Sequence, residues 1–257
     1  PTAWEEFRRI ALKLTKRDDD GNLVRAGAAI GSADNILFSS DILGLMFAQA
    51  GVMVPQNLET RSAKDALAFY TAFVKEDGVW SSGFEDSLTA FAKGYVSMIF
   101  APSWALLNVK AASPSLNIGA AEVPQAVPSN PVNWGSFWMY AVSGNSSESA
   151  AAWEFIKFLS EESQQLMLFD LASKSRIFGP LYSRVSLRDQ LSQGPYSELL
   201  SPYLKSAPTA TYSIMASRSG NKNVEEAIKQ AINSVLTSSS DKTTPEEALK
   251  TAKQSMQ

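Results

Sequence analysis

The stretch Phe91–Trp104, FAKGYVSMIFAPSW, constrains this chain more than any other. Phe91 closes an apolar helical face, and Gly94 stands where a left-handed C-terminal cap is wanted. Tyr95–Phe100 is rich in β-branched and aromatic residues and reads as a buried strand. Ala101-Pro102-Ser103 ends it, because proline lacks the amide proton that a strand ladder needs. Trp104 is thereby delivered at the C-terminal end of a strand, where open α/β sheets hold their ligands. The segment reads as the platform of a binding cleft in an α/β fold.

The chain has 257 residues, enough for one large domain or two lobes of ordinary size. Hydrophobic residues make up 45%, so a real core can be buried. The net charge of -3, without a basic run, speaks against a nucleic-acid partner, whose binding would rest on clustered Lys and Arg. No apolar run approaches the ~18 residues of a membrane span, and no signal peptide is visible. Cysteine and histidine are both absent. That removes disulfides, thiolate nucleophiles, Ser-His-Asp chemistry and the usual zinc sites together. No cofactor and no metal are expected.

Helical faces punctuate the chain. Trp4, Phe7, Ile10, Ala11 and Leu14 share one face of a helix over about 3–15, with Thr2 and Glu5 spaced as a capping box. Residues 23–30 read as a strand, and 31–35 as a polar loop. A helix follows over about 40–50, opened by Ser39-Ser40-Asp41. Those three side chains suit a helix N-terminus first, since capping residues are common, and a loop bordering a ligand cleft second. Further helices are expected over 63–75 and 85–93, with strands over 117–121 and 138–142. Pro124–Pro131 reads as a connection. Beyond it come helices over 147–159, 161–169, 186–193, 196–205 and 224–236, the last with Asn223 as its cap. A final helix over 246–254 has Thr244, Pro245 and Glu247 as a strong start signal. Residues 209–220 read as irregular, with one tyrosine and one arginine.

Few residues can carry chemistry. The adjacent carboxylates Glu5-Glu6, Glu85-Asp86, Glu161-Glu162, Glu225-Glu226 and Glu246-Glu247 lie at helix starts, where acidic residues suit the dipole. Neighbours on a helix point about 100° apart, so none of these pairs can face across a glycosidic bond. Asp18-Asp19-Asp20-Gly21-Asn22 fails the calcium-loop register, since Leu23 and Ala29 stand where Gly and Glu are required. It reads as a solvated turn. What remains is aromatic. Trp4, Trp138 and Trp153 fall on periodic faces and read as core. Trp80, Trp104 and Trp134 fall in loops, where each is either a core-edge anchor or a surface for stacking on a sugar ring.

Several motifs point to one family. Pro1-Thr2-Ala3-Trp4-Glu5-Glu6-Phe7 is similar to a P-x-T-W-x-E-F helix start, with Ala3 at the Thr position. Phe91–Ile99 matches F-x-x-G-x-x-A-M, with Ser97 in place of the commoner Ala. Pro102-Ser103-Trp104 is similar to a G-P-W or G-x-W turn, Ala151–Leu159 to an A-x-E-F-x-x-F-L helix, and Glu246-Glu247-Ala248-Leu249 to a closing E-E-A-L helix. In this order and spacing, the chain resembles the extracellular solute-binding proteins of ABC importers, of the sugar-binding group that includes maltose-binding protein.

The resemblance implies a type II periplasmic-binding-protein-like α/β fold, with solute held between two lobes. It implies that residues 1–134 and 171–257 form the C-terminal lobe, and that 135–170 is a segment returning to the N-terminal lobe. Most of that first lobe would lie outside this chain, consistent with a sequence that opens on a helix cap, and could be supplied as another chain. The implied solute site comprises Trp104 as the stacking tryptophan, Trp134 at the crossing, and Asn35 and Asp41 at the polar loop and helix start. Tyr212 and Arg218 match in position but not in type. The implied role is a non-catalytic receptor that delivers a carbohydrate, most naturally an oligosaccharide, to an ABC permease in the membrane. The location would be periplasmic or extracellular, with a lipoprotein anchor on a segment not present here. The rival readings are a glycan-active enzyme on a related scaffold, a binder of a peptide or polyamine, and an interaction module whose ligand site has decayed.

Overall fold

A computed structural model describes residues 1–194, 196–216, 221–237 and 243–256. The chain divides into two compact units: one comprises 1–116, 122–136 and 206–257, the other 117–121 and 137–205.

The first unit begins with α1 (Trp4–Leu14). Trp4, Phe7 and Ala11 are buried along one stripe, as the periodicity predicts. The capping box at Thr2 does not form. Ala3 is the N-cap, and the Glu6 carboxylate instead accepts from the Thr2 amide at 2.9 Å. Strands β1 (Lys16–Arg17) and β2 (Leu23–Arg25) make a short antiparallel hairpin. The strand expected through Ile30 stops at Arg25, but its backbone continues alongside residues 95–98. Ala26 pairs in parallel with Val96, and the Ala29 amide donates to the Met98 carbonyl at 2.9 Å. Gly27 is where α1 comes closest: an added Cβ would sit 1.8 Å from the Ala11 carbonyl oxygen. Only glycine lets helix and extended chain approach this nearly.

Helices α2 (Ser39–Gln49), α3 (Arg61–Lys75), α4 (Ser87–Ala92) and α5 (Ala105–Ala112) follow. Asp86 caps α4, accepting from the Leu88 and Thr89 amides. Strand β3 (Asn133–Trp134) closes this part of the chain.

The second unit holds α6 (Ser149–Leu159), α7 (Glu162–Ser173), α8 (Arg188–Gln193) and α9 (Ser197–Ser206). Residues 171–205 group with 137–170 here, whereas the resemblance had assigned them to the other lobe. The local reason is a set of ties around α7. Gln165 donates to the Ser183 hydroxyl at 2.9 Å and accepts from the Ser183 amide, Arg184 donates to the Ser160 carbonyl at 2.8 Å, and Phe169 meets Tyr182 with ring centroids 5.1 Å apart. The strands expected over 117–121 and 138–142 are not formed. A strand is a shared structure, and neither segment has a ladder partner among the described residues. Trp138 and Trp153, expected in the core, are 79% and 50% exposed, and α6 buries none of its residues.

Back in the first unit, β4 (Ala210–Thr211) pairs in parallel with β3. Helices α10 (Lys222–Thr237) and α11 (Pro245–Ser255) finish the fold. Because α10 starts at Lys222, Asn223 lies inside its first turn and does not cap it. Thr244 and Glu247 form the expected capping box of α11. The core of this unit gathers Phe7 and Ala11 of α1, Leu43 and Phe47 of α2, Leu67, Tyr70 and Phe73 of α3, Ile228 and Ile232 of α10, and Leu249 of α11. Tyr70 is fully buried and donates to the Ser32 carbonyl at 2.8 Å. Burial pushes its phenol far above the ordinary tyrosine range. Among the described residues, no helix is long and apolar enough to cross a membrane.

Candidate functional site

The candidate site is built on the N-terminal end of α2. Phe38 immediately precedes that helix, and no side chain caps it. A helix start carries partial positive charge, and the Ser39 amide here donates to the Ile36 carbonyl at 3.1 Å. The Ser40 hydroxyl is buried there without a hydrogen-bond partner among the described residues. Ser39, expected to cap, donates to the Ala33 carbonyl at 3.3 Å.

Two tryptophans from distant parts of the sequence meet this helix end. Trp104 immediately precedes α5 and is 46% exposed; the strand expected before it over 95–100 forms only one bridge, at Val96. Its ring meets Phe38 edge to face, with centroids 5.6 Å apart. Trp134 is half-buried on β3, and its indole Nε1 donates to Asp41 Oδ1 at 2.9 Å. The other edge of that indole lies on α2 at Gly44, where an added Cβ would come within 2.7 Å of the ring. Trp104 therefore presents an open aromatic face, while Trp134 is clamped between a carboxylate and a helix backbone. Trp134 also walls a groove of about 390 Å³, shared with Gly44, Phe47, Met53, Tyr212 and Met215.

The other predicted positions fall out differently. Asn35 is wholly engaged inside the unit: its Oδ1 accepts from Trp80 Nε1 and from the Ser32 hydroxyl, each at 2.8 Å, and its Nδ2 donates to the Ser81 and Phe84 carbonyls. It pins one loop to another and has no group left to offer a solute. Trp80, read as a loop residue, is buried and stacks on Phe84 at 5.1 Å. Tyr212 is exposed, with its ring over Gly135, where an added Cβ would lie 2.4 Å from Cε1. Arg218 lies outside the described residues.

Sequence reasoning missed Phe38, which supports Trp104, and the glutamines beneath Trp134. Phe38 was legible only as one apolar residue before a helix. Gln49 and Gln125 carry no periodic or motif signal. Among the described residues, no group of acidic side chains could hold a metal ion.

Residues 1–183 match the model of the family described as bacterial extracellular solute-binding protein. No curated protein sequence matches the chain. Among solved structures, it is similar to a cyclo/maltodextrin-binding protein complexed with maltotetraose, at TM-score 0.75 and 20% identity, covering 100% of this chain and 64% of that one. It is also similar to the maltose/maltodextrin-binding domain MalE of Bdellovibrio bacteriovorus bound to maltotriose, at TM-score 0.69 and 17% identity, covering 99% of this chain and 65% of that one. A third is UgpB of Mycobacterium tuberculosis in complex with glycerophosphocholine, at TM-score 0.66 and 18% identity, covering 100% and 63%. The chain thus spans less than two thirds of the length of each of these. The fold is the α/β type II periplasmic-binding-protein fold. The chain belongs to the bacterial extracellular solute-binding protein family.

Proposed function

We propose that this chain is the ligand-binding portion of a non-catalytic ABC-importer receptor, and that its solute is a carbohydrate. The observation that carries the reading is Trp104. It holds an exposed indole over Phe38, next to an uncapped helix start and the Trp134–Asp41 pair. An open aromatic face stacks on the C–H face of a sugar ring, beside a helix start of partial positive charge. The family assignment and the sugars held by two of the similar structures support the same reading. A chain without histidine or cysteine, whose adjacent carboxylates sit at helix starts, offers little to a glycan-cleaving enzyme.

The remainder of the site would come from polypeptide of the kind that fills the other third of these structures. In support, Phe137, Trp138, Met139 and Tyr140 are consecutive and exposed, as are Phe155 and Phe158 of α6, a larger apolar display than a finished surface carries. Binding would close two lobes around the solute, and the closed form would dock on a permease outside the cytoplasmic membrane, with an anchor on a segment not in this chain.

Calorimetry of the intact protein against linear and cyclic oligosaccharides tests this. Heat with at least one sugar, with affinity weakened roughly tenfold or more in Trp104→Ala, is expected. Silence with every sugar, together with binding of a peptide, a polyamine or a glycerophosphodiester, would overturn it.

A further inference from the structure

The strand that carries Trp134 is two residues long, too short for ladder bonds alone to fix a side chain. Its ladder pairs Asn133 with Ala210 and Trp134 with Thr211, and the Gly135 amide adds a bond to the Thr211 carbonyl at 2.8 Å. The rest of its support comes from side-chain amides. Gln125 Oε1 accepts from the Val132 amide at 2.9 Å, and Gln49 Nε2 donates to the Val132 carbonyl at 3.1 Å. Two glutamine side chains thus stand in for a neighbouring strand at the residue before β3. The relay continues through Gln125 Nε2 to Asn133 Oδ1 at 3.2 Å, and through Asn133 Nδ2 to the Thr209 hydroxyl at 2.7 Å, at the threshold of β4. Gln49 Oε1 anchors the near end, accepting from Trp4 Nε1 at 2.7 Å and from the Ala126 amide at 3.0 Å.

Gln125 and Asn133 are both more than nine-tenths buried. Apolar side chains could fill that volume, but they would let a short strand slide. Hydrogen bonds of definite length and direction do not. Trp134 leaves no room for sliding: one edge must reach Asp41, and the other lies so close to Gly44 that a methyl group would not fit between them. We propose that Gln125 and Asn133 are positioning residues that set the height and rotation of the Trp134 indole. Through it they would tune solute affinity, a consequence that rests on the receptor reading above.

The test uses the Trp134 indole N–H resonance of the intact, nitrogen-15-labelled protein, identified by its loss in Trp134→Phe. Gln125→Met keeps the volume and removes every hydrogen bond of the amide. It is expected to shift that resonance while leaving the Trp80 resonance in place. Thr209→Val, a milder cut at the far end of the relay, is expected to shift it as well and keeps the test valid should Gln125→Met fold poorly. A Trp134 resonance unmoved in both variants, with only the unfolding temperature lowered, would reduce the relay to scaffold and overturn the proposal. Titration with maltotriose on the same samples separates the two readings. A moved resonance with about tenfold weaker binding supports both. A moved resonance with unchanged affinity upholds positioning and removes Trp134 from the solute site. Failure of the unsubstituted protein to bind maltotriose bears on the receptor reading alone, and the resonance shift still decides the positioning role.

Discussion

The indole of Trp134 donates to the carboxylate of Asp41 across 2.9 Å, joining residues 93 apart in the sequence. The bond ties β3 to the first turn of α2, so the helix start and the tryptophan move as one. Asp41→Ala is expected to lower unfolding stability by about 1–3 kcal/mol, the range for losing a charge-assisted bond and leaving a donor unpaired. Trp134→Phe should cost less, because it removes the donor together with its need for a partner. Urea unfolding of the two variants checks the order.

Trp104 is expected to behave in the opposite way. Its ring is half exposed and meets Phe38 edge to face, so Trp104→Ala should change stability by less than about 1 kcal/mol. Its proposed role predicts a loss of carbohydrate affinity of roughly tenfold or more, from stacking of about 1.4 kcal/mol. Calorimetry and thermal unfolding on one preparation separate the two effects.

Asn35 should be a stability residue. Removing its carboxamide in Asn35→Ala strands the Trp80 indole N–H, the Ser32 hydroxyl and two backbone carbonyls. A loss of about 2–4 kcal/mol is expected, since several partners are orphaned at once. Chemical denaturation would show whether it exceeds the loss in Trp104→Ala, as it should.

Asp86 gives α4 an acid-sensitive cap. Burial pushes its carboxyl upward, but the Thr89 hydroxyl and the Thr89 and Leu88 amides outweigh this and hold it below the ordinary carboxylate value. A depressed folded-state value means the cap contributes fully above the unfolded carboxylate range, near pH 4, and loses that contribution as the pH falls through the folded value. Asp86→Asn keeps a capping side chain and removes the titration. Its stability should therefore fall less steeply than that of the unsubstituted protein between pH 5 and pH 3, roughly the window of carboxylate titration, as followed by circular dichroism.

Gly44 is expected to be intolerant of alanine despite lying in the middle of a helix. Alanine ordinarily favours a helix by about 1 kcal/mol over glycine. Here the new methyl would meet the Trp134 ring at 2.7 Å. Gly44→Ala should destabilise by about 1–3 kcal/mol through overpacking and shift the tryptophan fluorescence. Thermal unfolding with fluorescence detection would read both.

Much of the fold was legible where a signal is local. The stripe of α1, the box at α11 and the stop at Gly94 each depend on a few neighbouring residues, and each is present. The strands fared worse, because a strand needs a partner from elsewhere in the chain. Residues 138–142 have strand composition, but pair with nothing among the described residues. Trp153 has the periodicity of a core residue, and periodicity shows which side of a helix is apolar without showing what, if anything, covers it.

The site divides along the same line. Sequence alone determined the chemistry available: six tryptophans, an acidic helix start, and neither histidine nor cysteine. The strand expected over 95–100, by contrast, reduces to a single bridge at Val96, so Trp104 follows a proline break in extended chain and not the end of a ladder. Only the tertiary structure decided which of these residues remain free to meet a solute. Asn35 and Trp80 satisfied one another and turned inward, while Phe38 emerged as the support of Trp104. Such pairings depend on distance in space between residues far apart in sequence, and hydrogen bonds and ring contacts act only over a few ångströms.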